Sequence, residues 1–369
     1  MSQTLRVIGA TLLAIASVCT GPAHACQQPP QNVMPGVHEW LRKARTNSHP
    51  LAGRIFANEA LRGPMRLDDC FDIDPLFAVV TDVAKAASQQ SGIALVGEVH
   101  DNPRHHELQA EVLRRTRSLR TDGTRPDRPA PAAVFEHIRT DQQPALDLFS
   151  ELSRKGQHLD RPAEFFRFLK WDQSGWPDKA LFQPLFRAAI EGRHPILPGD
   201  PPREQIRAVA KQGLSLLPTE QVQRLGLDQP LDAKLHDALL TELEASHCGL
   251  VPKAAFTTMA DAQRYRDAHL ADAVAQAHAR HGSAILFAGN GHIRADRGVP
   301  LYLRQLAPGR ALVTVLLIEV EPGKIDAASI IPRDPEGRAA ADFIIFTPRV
   351  ERKDPCLEMR ERFSKRPPQ

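Results

Sequence analysis

A set of ionisable residues stands where it could act together. Glu98 and His100 lie two positions apart, just after the apolar run 93–96 and a break at Gly97. Glu136 and His137 close the run Ala132-Ala133-Val134-Phe135, and Asp200 closes Pro195-Ile196-Leu197-Pro198-Gly199. His292 follows Ala284-Ile285-Leu286-Phe287-Ala288 through Gly289-Asn290-Gly291. In extended chain, Glu98 and His100 leave on the same side. Carboxylates and neutral imidazoles gathered in one place suit zinc or iron(II). They equally suit general acid–base work without metal, if burial drives their pKa values apart. They could also line a pocket for a polar cofactor and ligate its iron. Each short motif has a plain structural alternative: His100 and His292 at helix starts, Glu136 as a helix cap, His137 as a packed structural residue.

The elements before these residues must position them. Each preceding run is apolar without alternation, as in a parallel strand buried on both faces. Parallel strands of one sheet would bring Glu98, His100, Glu136, Asp200 and His292 to its carboxyl edge, where open α/β sheets bind ligands. Pro103 suits the first turn of a helix and Asn102 can cap it. The expected fold class is α/β, a mostly parallel sheet flanked by helices. Between 140 and 282 the chain reads as helical, at about 141–152, 162–170, 178–190, 202–212, 218–225, 232–246 and 257–280, interrupted by Trp171-Asp172-Gln173-Ser174-Gly175-Trp176-Pro177 and the short strand at 195. This block is expected to be a large helical cap insertion that closes a pocket over the sheet edge. A short helix at 299–303, a strand at 311–320 and a last strand at 342–347, pairing antiparallel at an edge, complete the core.

The ends speak of location. Arg6, the apolar run 7–18 and Ala23-His24-Ala25 form a signal peptide, residues 1–25, too short to span a bilayer. Residues 26–50 are expected to form a polar, Pro-rich arm, 51–356 one domain and 357–369 a charged tail. Cleavage near Ala25 would leave Cys26 first. A lipid anchor there is disfavoured, because Ala23 stands where a lipoprotein signal carries Leu. The destination is then the periplasm or cell envelope, where the even set Cys26, Cys70, Cys248 and Cys356 suggests disulfides. Three pairings exist, and Cys26–Cys70 with Cys248–Cys356 is favoured. A net charge of +3 gives no basic surface for nucleic acid.

Taken together, Gly97-Glu98-Val99-His100-Asp101-Asn102, His105-His106-x-x-Gln109, Phe135-Glu136, His247-Cys248-Gly249, Gln263-x-x-Arg266-Asp267 and Gly289-x-Gly291-His292 resemble the ChaN-like haem-binding uptake proteins. These belong to the wider Tiki superfamily, which includes erythromycin-esterase-like enzymes. The resemblance covers roughly residues 50–356. Leu270-Ala271 stands where the relatives carry Met-Ala. The resemblance implies an α/β core with helical insertions, export, haem binding linked to iron uptake, outer-membrane association and a homodimer that encloses haem. Haem iron in such proteins is held by a tyrosinate or an imidazole. The chain has two tyrosines, Tyr265 and Tyr302, and Tyr302 competes for that role with His100, His105, His106 and His292, while Arg266 suits a propionate. The enzymatic relatives imply an alternative, a metal-dependent hydrolase with Glu98, His100, Glu136 and His292 as catalytic groups and as ligands of a divalent transition metal. A third expectation is a non-catalytic envelope interaction protein.

Overall fold

The computed structural model describes residues 35–58, 73–88, 92–121, 128–155 and 162–364. The signal peptide, the lipid-anchor position Cys26 and the Cys26–Cys70 pairing lie outside the described residues. The chain runs α1 (Pro35–Arg45), β1 (Ile55–Ala57), α2 (Ile73–Ala87), β2 (Gly92–Val96), α3 (Pro103–Thr121), β3 (Ala132–Arg139), α4 (Gln143–Arg154), α5 (Pro162–Phe168), α6 (Lys179–Glu191) and β4 (Ile196–Asp200). It continues through α7 (Arg203–Gln212), α8 (Thr219–Arg224), α9 (Ala233–Ser246), α10 (Ala255–His281), β5 (Ala284–Phe287), α11 (Asn290–Ile293), α12 (Val299–Leu306), β6 (Ala311–Glu319), β7 (Phe343–Thr347) and α13 (Pro355–Ser364).

The strands form one seven-stranded sheet in the order β1-β7-β6-β2-β5-β3-β4. Every pairing is parallel except β1 with β7. The last strand is therefore not the antiparallel edge. It lies parallel to β6, and the short β1 closes that side. The α/β class follows from the core. Ala94, Val96, Ala133, Phe135, Ile285 and Phe287 face one apolar layer, while Ile93, Leu95, Ala132, Val134, Ala284 and Leu286 face the other. Strands buried on both sides carry no polar face, hence the unbroken apolar runs. Phe135 shows what holds the centre: it stacks on Phe186 at 4.6 Å and Phe287 at 5.3 Å between ring centroids.

Within the helical block expected over 140–282, two helices and one strand belong to the core. α6 and α10 are the sheet's flanking layers, on opposite faces, and β4 is one of its strands. α6 buries Phe182, Leu185 and Phe186 in the first layer. α10 buries Tyr265, Ala268, Leu270, Ala271 and Val274 in the second. Helices with wide apolar surfaces go where apolar area can be covered, which is the sheet face rather than its rim. The turn Trp171 to Pro177 reaches the carboxyl edge, where the Trp176 ring packs on His100 and His137.

The polar arm is corrected. Within it, α1 places Val37, Trp40, Leu41 and Ala44 on one buried stripe. Their spacing is that of an amphipathic helix, and Trp40 Nε1 donates to the Arg104 carbonyl at 2.7 Å. At the other end, the described part of the charged tail is helical in α13, and Cys356 is joined to Cys248. Among the described residues, no helix is long and apolar enough to cross a membrane.

Candidate functional site at the carboxyl edge

The turn after β2 is fixed from both sides. Gly97 donates to Val315 O at 2.8 Å, and a Cβ there would fall on the Asn290 carboxamide oxygen. Asn290 in turn bridges to β6 through Leu317, donating to its carbonyl at 2.6 Å and accepting from its N–H at 3.2 Å. Asn102 caps α3 as its type suggests, accepting from Arg104 N at 2.9 Å.

Glu98 is buried at the centre of a first network. Its Oε1 accepts from His100 Nδ1 at 2.7 Å and from His137 Nε2 at 2.8 Å. Its Oε2 accepts from Gln109 Nε2 at 2.8 Å and lies 3.5 Å from His106 Nδ1. Trp176 walls this network, its ring 4.8 Å from both the His100 and His137 rings, and its Nε1 donates to the His137 carbonyl at 3.0 Å. Burial alone would raise Glu98. The imidazoles of His137, His106 and His100 outweigh it and hold the carboxyl well below its ordinary value.

A second network lies across the sheet. Glu136 and His137 are consecutive in β3 and so leave on opposite faces, just where the pairing with β4 slips register between Phe135 and Arg139. His137 joins Glu98. Glu136 accepts from Arg266 Nη2 at 2.6 Å and from Gly289 N at 2.7 Å, with His292 Nε2 3.3 Å away. Arg266 also holds Asp200, at 2.9 and 3.0 Å. His292 Nδ1 meets Asp267 Oδ1 at 2.6 Å, with Gln263 Nε2 3.1 Å from the same ring nitrogen. Burial works against the charged imidazole of His292, but Glu136 and Asp267 overcome it and bring the pKa up to about 9. Burial raises Asp200 and Asp267 against the pull of their cationic partners. The two networks touch at Gly289, where a Cβ would stand 3.0 Å from His100 Nε2 and 3.5 Å from Glu136 Oε2.

The sheet thus gathers Glu98, His100, Glu136, Asp200 and His292 at one edge, but in two groups. The expected metal set of Glu98, His100, Glu136 and His292 is divided between them. Glu136 and His292 already serve Arg266 and Asp267. Glu98, His100 and His137 instead each offer a donor atom, all within 4.8 Å of one another. Three expected haem ligands are buried in other contacts. His105 is wholly buried, accepting from Val99 N at 2.7 Å and meeting Thr347 Oγ1 at 2.7 Å. His106 is wholly buried against Phe182, its nitrogens on Gln109 and the His100 carbonyl. Tyr302 is buried on Arg264, and burial pushes its phenol up to about 12, away from tyrosinate. Arg266 is held by two carboxylates rather than offered to a propionate. His137, read as structural, is the residue that sequence reasoning misses, and its alternation with Glu136 is the signal that could have found it.

A family model described as haem-binding uptake, Tiki superfamily, ChaN matches residues 83–303, more than half of the chain. The fold is similar to a solved structure of ChaN of Campylobacter jejuni described as showing cofacial heme binding, with 16% identity and a TM-score of 0.53, covering 79% of this chain and 95% of that one. No curated protein matches the chain. The motifs at the carboxyl edge lie inside the matched region, and on that match the chain belongs to the ChaN haem-binding uptake family of the Tiki superfamily.

Proposed function

We propose that this chain binds haem at the carboxyl edge of the sheet, outside the cytoplasm, as part of haem or iron uptake. One observation carries the reading. Of the expected histidine ligands, His100 alone presents its imidazole to the surface, with 35% of the side chain exposed against 6% for His292 and none for His106. A haem iron takes an imidazole as axial ligand. Glu98 orients the His100 ring through Nδ1, and the Trp176 ring beside it offers a flat apolar wall. The exposed Arg203, hydrogen-bonded to the Ser174 carbonyl two residues from Trp176, offers a guanidinium for a propionate.

One cleft, about 430 Å³, runs along the free side of β4 and is lined by Gln143, Leu197, Pro198 and His269 among others. With 35% of its side chain exposed, His100 offers haem an open edge. The C. jejuni structure is described as showing cofacial heme binding. A homodimer closing over that edge is part of this reading. Export is supported by the Cys248–Cys356 disulfide, a bond that persists in oxidising compartments.

Titration of the metal-free mature protein with haemin, followed by absorbance, tests the reading. A saturable Soret shift near one haem per chain is expected, weakened at least about tenfold in His100→Ala, a loss of about 1.4 kcal/mol. A shift that does not saturate, or one that His100→Ala leaves intact, overturns it.

A further inference from the structure

We propose that Glu98, His100 and His137 form a binding site for a divalent transition-metal ion, distinct from the Glu136–His292 network. The inference goes beyond haem binding and does not depend on it. Two imidazoles and one carboxylate are a ligand set that zinc, iron(II) and manganese accept. The geometry favours a single ion, because both imidazoles already converge on one oxygen. His100 Nδ1 and His137 Nε2 stand 2.7 and 2.8 Å from Glu98 Oε1. Ligand atoms around a tetrahedral zinc sit about 3.3 Å apart; the two imidazole nitrogens stand slightly inside that distance from Glu98 Oε1, and all three donors lie within 4.8 Å of one another, so an ion is taken by drawing the carboxylate back while the imidazoles close on it.

The surroundings are those of a built site. Glu98 and His137 are each 1% exposed, so neither can relax into solvent. The other Glu98 oxygen is held by Gln109, with His106 Nδ1 3.5 Å away, which fixes the carboxylate plane. Trp176 packs on both rings and pins the His137 backbone carbonyl. His137 Nδ1 has no hydrogen-bond partner, so nothing ties the ring proton to Nε2, and it can move to Nδ1 when Nε2 takes the ion. Three protein ligands leave at least one position open, and the exposed side of His100 gives water or an outside ligand a way in. His100 would then be claimed by both ligands, so bound metal should weaken haemin binding.

The test uses haem-free, chelator-stripped mature protein with zinc, read by calorimetry and elemental analysis, and with cobalt(II), read by its visible d–d absorption. One ion per chain is expected. His100→Ala and Glu98→Gln should each lower affinity by more than about 100-fold, and Gln109→Ala, which removes only an outer partner, by about 10- to 100-fold. His292→Gln should leave it unchanged. His137→Gln lies in the core, so its folding is checked by circular dichroism, and the half-exposed His100 carries the test if it misfolds. Binding absent at equimolar metal, untouched by His100→Ala and Glu98→Gln, or lost in His292→Gln overturns the proposal. Because no haem is present, failure here leaves the haem reading standing, and failure of the haemin titration leaves this one.

Discussion

At the scale of single residues, two buried histidines are held in opposite protonation states by what surrounds them. His105 is hydrogen-bonded to the neutral Val99 N–H and Thr347 hydroxyl, and burial, aided by the nearby His106, outweighs Glu98 and Asp101 and brings its pKa down to about 3. His292 lies between Glu136 and Asp267, which outweigh burial and bring it up to about 9. An unfolded histidine titrates near 6.5. Between pH ~6.5 and ~3 the unfolded chain takes a proton that folded His105 refuses, so stability falls as pH drops through that window. Between pH ~6.5 and ~9 folded His292 keeps a proton that the unfolded chain has lost, so stability falls as pH rises. At 1.36 kcal/mol per unit, the acid limb amounts to something on the order of 5 kcal/mol and the alkaline limb to about 3. Urea unfolding from pH 4 to 10 should trace a dome. His105→Gln should flatten its acid side and His292→Gln its alkaline side. A variant that lowers the whole curve without changing either slope would show that these charge states do not set it. The residue types at the edge are legible in the amino-acid sequence, since each closes an apolar run. Their partners are not, because a one-residue difference in strand position, Glu136 against His137, sends two neighbours to opposite faces.

Elements decide whether those residues meet. β2, β3, β4 and β5 are legible as apolar runs, and α3 to α10 are legible to within a few residues, because the helical spacing of their apolar positions is strong. Two features are hidden. The Pro-rich surroundings and polar composition of 26–50 conceal the buried stripe of α1. The length of the 140–282 block suggests a cap, although sequence spacing carries no information about which face of a sheet a helix covers. The turn after β2 shows how closely the elements approach. At Gly97 an added methyl would strike the Asn290 side chain and come 3.1 Å from the Val315 carbonyl. The side chain could yield, but it also ties α11 to β6 through Leu317, and the carbonyl is part of the sheet. Gly97→Ala should therefore cost about 1–3 kcal/mol, the usual range for overpacking. It should also displace Glu98, so zinc and haemin binding ought to weaken together. Thermal unfolding alongside both titrations would check this. Stability within ~0.5 kcal/mol of the parent would mean that Asn290 swings clear without loss.

At the scale of the whole molecule, the chain's last stretch ties the two faces of the sheet to the site. After β7 it runs back past the turn that carries His100. There Arg352 pairs with Asp101 at 2.8 Å through both Nε and Nη2, and with Glu319 at 2.6 and 2.8 Å. Glu319 also accepts from Asn102, the cap of α3. A few residues on, Cys356 is bonded to Cys248, between α9 and α10, across 108 residues of sequence. One covalent link thus closes a loop that contains α10, β5, the His292 turn and the Arg352 clamp. In the chain-entropy account, a crosslink over a loop of about 100 residues removes enough freedom from the unfolded chain to stabilise the fold by about 4–5 kcal/mol. Cys356→Ser should lower the unfolding midpoint by several degrees. Reductant should bring the parent protein down at least as far, since any second disulfide would be opened as well. The loss is global rather than local if zinc and haemin still bind the folded variant with parental affinity, because Arg352, Asp101 and Glu319 remain to hold the strap. Weaker binding with an unchanged midpoint would instead make the disulfide a positioning device for the His100 turn, with the stability of the fold carried by the two apolar layers alone.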